Sequence, residues 1–311
     1  MSTARVEAAA GGRVLWLDNG IVRLGLVPEL GGRLLSLSRT GGPELLWRDD
    51  RLVGEDLLPR VPHRPHSGRL GDWVNYGGDK TWPAPQGWDH DGQWAGPPDP
   101  VLDSGPYRAE VRDGDGTATV TLTSGDDPRT GLGLTRCVEL DDDADGYRLR
   151  LTARNTSDRP VRWALWNVTQ LDGEGPGHTE VAGPAEVVDL LAGTGFPRWS
   201  DGGGLVRVPH QDVVGKLGFP AATGRLSHTG RDAVVTVDFP VDPDADYPDR
   251  GSRAEIWIEC PQPAPLAALG DLDPPARIVE CEVLGPLTEL GPGEQTTLDI
   301  VCTVEAGEGS T

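Results

Sequence analysis

The rhythm of short strands and turns limits most what this chain can fold into. Thr117–Thr123 reads TATVTLT, a clean period of two, the mark of a half-buried strand. Further strand candidates cover residues 21–27, 33–37 (after a Gly31-Gly32 turn), 132–140, 147–155, 161–168, 233–239, 253–260, 277–284 and 295–304. Turn signals such as Asp113-Gly114-Asp115-Gly116 and Gly291-Pro292-Gly293 separate them. Amphipathic helices are missing, and residues 185–191 offer at most a short helical turn. With 43 glycines and 28 prolines in 311 residues, the expectation is an all-β sandwich or barrel. No fixed-period repeat points to a propeller. No charged or Ser-rich linker divides the chain, so one domain over 13–304 is expected, between disordered tails at 1–12 and 305–311.

A net charge of −21 argues against nucleic acid and anionic membranes as partners. No run of eighteen apolar residues is present to span a bilayer. The start of the chain lacks the charged and apolar regions of a secretory signal. The expectation is a soluble, cytoplasmic protein with a small-molecule partner; its oligomeric state is not legible. The four cysteines, at 137, 260, 281 and 302, form no CxxC pair and read as buried thiols. Arginine outnumbers lysine 26 to 2, which reads as the codon bias of a high-GC genome such as an actinobacterium's.

Residues 75–94, NYGGDKTWPAPQGWDHDGQW, hold three of the ten tryptophans, one of the six histidines and one of the two lysines. The stretch shows neither helical nor strand period and reads as a long irregular loop, which in a folded domain usually binds or catalyses. Aromatic faces among Asp, Asn, Gln and His suit a polyhydroxylated or ring-shaped ligand. The alternative is an Ω-loop whose indoles plug a core edge.

Several segments together resemble galactose-mutarotase-like (aldose 1-epimerase-like) proteins. Glu29-Leu30-Gly31-Gly32-Arg33 followed by Glu44-Leu45-Leu46-Trp47 is similar to the start of that superfamily. Residues 75–86 and 98–107 resemble an uncharacterised bacterial branch of it. Residues 155–157 and Trp163-Ala164-Leu165-Trp166-Asn167-Val168-Thr169-Gln170 resemble its central strand; residues 279–287 and 292–294 resemble its C-terminal strand pair. The resemblance covers about 13–304 and implies a β-supersandwich of two large antiparallel sheets with a ligand-binding concave face. Sugar epimerases on this fold open and close a hemiacetal with a histidine acid and a glutamate base. Here Glu280 and Glu282 are the two counterparts of the glutamate, on one face of a strand. Neither family histidine is present: the central strand reads Trp166-Asn167-Val168-Thr169-Gln170, and Asp79-Lys80 follows Gly77-Gly78.

The chemistry left to the residues is acid/base, with no cofactor or metal expected. Glu280 and Glu282 sit among Ile278, Val279, Cys281 and Val283, so they are either desolvated in a site or solvated on an outer face. Lys80, a lysine where arginine is the habit, is either a compact donor with a tunable pKa or a partner of Asp79. His90 lies between Asp89 and Asp91 and reads either as an acid or as a solvated loop residue. The catalytic candidates are therefore Glu280, Glu282, Lys80, His90 and Asp79. The substrate-binding candidates are Arg33, Asn75, Tyr76, Trp82, Gln86, Trp88, Trp166, Gln170 and His178. His63 and His66 lie in a proline-rich loop that precludes a helical metal clamp. No phosphate loop or GxSxG elbow is present. The leading expectation is an isomerase acting on a hydroxylated, carbonyl-bearing substrate. Two alternatives stand: a natural-product lyase or cyclase abstracting a proton beside a carbonyl of a polyketide-like substrate, and a non-catalytic carbohydrate binder.

Overall fold

A computed structural model describes residues 3–68, 70–86, 96–191 and 195–307. In chain order the strands are β1 (Arg5–Ala9), β2 (Val14–Asp18), β3 (Val22–Val27), β4 (Arg33–Arg39), β5 (Asp79–Ala84), β6 (Arg108–Gly114), β7 (Thr117–Thr123), β8 (Leu132–Asp141), β9 (Gly146–Asn155) and β10 (Val161–Asp172). They continue with β11 (His178–Ala182), β12 (Val188–Asp189), β13 (Ser200–Asp201), β14 (Leu205–Pro209), β15 (Gly215–Phe219), β16 (Arg225–Thr229), β17 (Ala233–Asp238), β18 (Ala254–Glu259), β19 (Ile278–Leu284), β20 (Thr288–Leu290) and β21 (Gln295–Ala306). One sheet runs β1-β2-β3-β4-β5-β10-β19-β18-β15-β12, with β20 also paired to β10; the other runs β13-β14-β11-β16-β17-β21-β9-β8-β7-β6. The expected supersandwich of two large antiparallel sheets is what the chain forms.

The sheets meet through alternating side chains. In β8 every second residue, from Leu132 to Leu140, is buried. Leu134, Val138, Leu149 and Leu151 of the second sheet share one apolar cluster with Leu165, Ile256 and Val283 of the first. That burial is the main stabilising term.

Four expectations about the fold need correction. Residues 1–12 are not a loose tail: Arg5–Ala9 pairs antiparallel with β2. The end of β21 likewise carries order to Ala306, inside the supposed C-terminal tail. The helical turn expected at 185–191 is replaced by Val188–Asp189, which extends the first sheet beside β15.

The largest correction concerns residues 75–94. Their first part enters the sheet as β5, between β4 and β10, and all six residues are buried. Both faces of β5 are covered, so no alternation marks it. The Gly77-Gly78 turn feeds it. Both glycines have positive φ, 91° and 78°. A Cβ on Gly78 would lie 2.3 Å from the Leu34 carbonyl oxygen, so only glycine fits.

Candidate functional site

Strand register decides which side chains share a face. Lys80 lies opposite Val168, and Trp82 opposite Trp166. Across β10, Val168 faces Glu282 and Gln170 faces Glu280. Glu282 then pairs with Glu255, and Glu280 with Trp257; Lys216 of β15 lies opposite Trp257. Five neighbouring strands thus present Lys80, Trp82, Trp166, Gln170, Glu280, Glu282, Glu255, Trp257, Glu259 and Lys216 on one face, away from the inter-sheet core. Both lysines of the chain stand here.

A cavity of about 230 Å³ opens over this face. Its walls are Trp73, Trp82, Trp166 and Trp257, with Gln86, Lys216, Asp249, Glu259 and Glu280 among the polar lining. Trp82 contacts Trp73 and Trp166 edge-to-face at centroid separations of 5.8 and 5.2 Å. Asp103 holds two of these walls in place: it accepts the Trp73 and Trp82 indole N–H groups at 3.1 and 3.2 Å. Arg33 neutralises Asp103 at 2.5 Å.

Glu280 accepts two donors on Oε1, the Gln170 amide at 2.6 Å and the Lys80 ammonium at 3.5 Å, which leaves Oε2 for a ligand. Burial drives the Lys80 ammonium down to about 8, and the Glu280 charge opposes the drop only in part. Lys80 also lies 5.0 Å from the Trp82 ring centre. Glu259 is buried; the Trp257 indole donates to its Oε2 at 3.0 Å, and Oε1 has no partner among the described residues. Burial, then the Glu280 charge, raises the Glu259 carboxyl to about 8.

Beneath the cavity, Lys216 bridges Glu255 at 2.6 Å and Glu282 at 2.9 Å, while the Trp166 indole donates to Glu282 at 2.6 Å. Burial works against the Lys216 ammonium, but the two carboxylates outweigh it and hold its proton above the ordinary lysine range. One cation cannot offset burial for both acids, so Glu255 and Glu282 are both pushed up. The three groups titrate as a unit.

The sequence candidates sort clearly. Trp82, Trp166, Gln86 and Glu280 line the cavity, and Gln170 and Lys80 hold Glu280 from behind. Both glutamates are buried, which removes the solvated-face alternative. Glu282 lies in the layer below, engaged by Lys216 and Trp166.

Several candidates stand elsewhere. Asp79, a catalytic candidate, points into the inter-sheet core, because residues on alternate sides of β5 face opposite ways. There it pairs with Arg136 of β8 and accepts from Asn167 at 2.7 Å and Thr169 at 2.6 Å. Arg33 does not reach the cavity, its guanidinium being committed to Asp103. Asn75 accepts from the Gly77 amide in a local turn. Tyr76 belongs to a separate apolar cluster and contacts His63 at 3.0 Å. His178 sits on β11 of the other sheet, 3.8 Å from Glu180. Trp88 and His90 lie outside the described residues. All four cysteines are free, three of them buried.

Sequence reasoning missed Lys216, Glu255, Trp257, Glu259, Trp73 and Asp103. Two signals were there to find. Lys216 is the other lysine. In AEIWIE, Ala254–Glu259, the polar face carries an indole between two acids, an odd choice for a face turned to water.

The profile of the family described as Domain of unknown function (DUF4380) matches residues 13–304. No curated protein matches the sequence. A TPR-domain containing protein from Parabacteroides distasonis superposes with a TM-score of 0.62 at 14% identity, over 94% of this chain and 47% of its own. This chain therefore spans about half the length of that protein. The Slr1438 protein from Synechocystis gives 0.61 at 14% identity, over 98% and 96%. A galactose mutarotase-like protein from Lactobacillus casei gives 0.53 at 14% identity, over 94% and 100%. At these identities the likeness is one of fold, and the fold is galactose mutarotase-like. Among the described residues, no helix is long and apolar enough to cross a membrane.

Proposed function

The chain belongs to the DUF4380 family, and we propose that its tryptophan-walled cavity is the active site of an acid/base enzyme. The substrate is a hydroxylated, carbonyl-bearing small molecule, and the reaction is an epimerisation at a hemiacetal carbon. The carrying observation is the pair Glu259 and Glu280. They lie diagonally across β18 and β19 and line the same cavity, within reach of one ligand atom pair. Glu259 holds a proton near neutrality; Glu280 has an oxygen to spare between two fixed donors.

In this reading Glu280 takes the proton of the anomeric hydroxyl. The bond from the anomeric carbon to the ring oxygen breaks, and its electron pair leaves on that oxygen. Glu259 supplies the proton the oxygen needs. The open aldehyde turns, and closure runs the steps in reverse on the other face. Glu259 stands in for the acid that a histidine supplies in the sugar epimerases the fold resembles. Proton abstraction beside a carbonyl would use the same two groups and would reveal itself as deuterium uptake at that carbon. Four indole walls also suit a plain binder of ring-shaped ligands.

Exchange NMR on a panel of aldoses in both anomeric forms tests the proposal. The wild type accelerates interconversion of at least one sugar. Glu280→Gln and Glu259→Gln each lower that rate by about 10²- to 10⁴-fold while tryptophan fluorescence still reports binding. Binding without acceleration of any sugar, and without deuterium uptake, would leave the binder.

A further inference from the structure

We propose that the ligand of the tryptophan-walled cavity is a cation: an amine- or ammonium-bearing compound whose positive group sits between the Glu259 and Glu280 carboxyls and the indole faces. The inference rests on the reading of this cavity as the substrate site and narrows its substrate class, pointing to amine-bearing sugars over neutral or acidic ones.

Charge carries the first half of the case. Asp249, Glu255, Glu259, Glu280 and Glu282 stand in or directly under the cavity, against two ammonium groups. Both ammonium groups are engaged, Lys80 by Glu280 and Lys216 by Glu255 and Glu282. Burial keeps protons on the surplus acids: Glu259 is raised to about 8, and Glu255, Glu282 and Asp249 are raised as well. An acidic ligand would add charge beside Glu280 in a low-dielectric site, and a neutral one would leave those protons in place. A cation can take the place of a proton and pair with the carboxylate left behind.

Geometry carries the second half. Glu259 is only 5% exposed, lines the cavity, and keeps Oε1 without a partner among the described residues. A buried polar group left unpaired is costly; an ammonium that displaces the Glu259 proton would donate to this oxygen and pair with the charge left behind. Indole rings hold ammonium groups against their faces, and four of them wall the cavity. The protein already uses them so: Lys80 and Lys216 lie 5.0 and 4.4 Å from the Trp82 and Trp166 ring centres. Asp249, which lines the cavity, has left-handed backbone, φ 49°, an unfavourable conformation for a residue with a side chain.

Two matched pairs of probes test this: choline against its neutral carbon isostere 3,3-dimethylbutan-1-ol, and glucosamine against glucose. Titrations are followed by tryptophan fluorescence and by calorimetry in two buffers of different ionisation enthalpy. The cation of each pair binds at least about tenfold tighter than its neutral partner. Choline, which does not titrate, also displaces a proton from the protein, because Glu259 is protonated in the empty cavity.

Its affinity rises as pH goes from about 7 to about 9. Around Glu259 the groups that bear on this rise are Glu280 on β19, Lys80 on β5, Lys216 on β15 and Asp249 in the cavity lining. Lys80 titrates in the same window and acts in the same direction. Glu259→Gln keeps the neutral shape but cannot become charged. It loses the cation preference and the proton release, and it flattens the pH rise to what Lys80 contributes. Far-UV circular dichroism and the melting temperature near pH of about 4, both unchanged from wild type, show that the fold is intact.

Equal affinity within both pairs, or no binding of either cation, overturns the inference. Neutral sugars that bind and interconvert while amines do not would sink it and leave the acid/base reading standing. Amines that bind tightly without any reaction would do the opposite.

Discussion

Glu259 is the residue on which most turns. Below the ordinary glutamate range both the folded and the unfolded chain hold its proton. Between that range and about 8 the unfolded chain releases the proton and the folded chain keeps it, so stability is lost as pH rises through that window. Glu259→Gln removes the titration without adding charge. Calorimetric melting is expected to show variant and wild type alike near pH of about 4, and the variant melting higher near pH of about 8. An equal decline in both proteins would mean the carboxyl is ionised in the fold. Catalysis favours the same protonated state, since the proposed acid must carry its proton. Turnover should fall as pH rises through about 8, where Glu259 gives up its proton and Lys80 its charge. A rate that climbs past that value would assign the acid role to another group.

At the level of elements, β5 shows why a strand can hide in a sequence. TATVTLT in β7 announces itself because one face is buried and the other half-open. DKTWPA has no such contrast: Lys80 and Trp82 face the cavity, while Asp79 and Thr81 face a polar cluster between the sheets. Alternation of apolar and polar residues cannot mark a strand whose two faces are buried for different reasons. In the second sheet β7, β8, β9, β17 and β21 were legible, as was β19 with its two glutamates; β6, β11, β13, β14 and β16 were not. The partners Glu255, Glu259 and Lys216 were not, because only register brings them beside Glu280. The inter-sheet cluster should be costly to break. Asp79→Ala leaves the Arg136 guanidinium buried beside uncommitted Asn167 and Thr169, a loss of about 3–5 kcal/mol in denaturant unfolding. Gly78→Ala forces a side chain into positive φ against the Leu34 carbonyl and is expected to cost about 1–3 kcal/mol from backbone strain alone.

For the whole molecule, the sequence held the fold more openly than the site. Short strands, abundant turns and the missing helices led to a two-sheet β fold, and residues 13–304 to one family. The absent histidines blurred the chemistry, since the acid proposed in their place, Glu259, sits on a strand the family resemblance did not mark. The net charge of −21 acts at this scale too. It strains the compact state by self-repulsion, which salt screens. Raising ionic strength from about 0.01 M to about 0.15 M should therefore raise the melting temperature, and a fall would show that specific ion pairs outweigh the general repulsion.

The near-absence of lysine has a practical side. The only two side-chain amines of the chain, Lys80 and Lys216, lie in or beside the same cavity, and every other basic side chain on the chain except histidine is a guanidinium. Isotope labelling of lysine alone would thus yield two side-chain resonances, one from each end of the carboxyl cluster. That makes the protein its own two-channel spectrometer: every ligand, every proton taken up and every substitution in the pocket would be read at both channels, without a background to subtract.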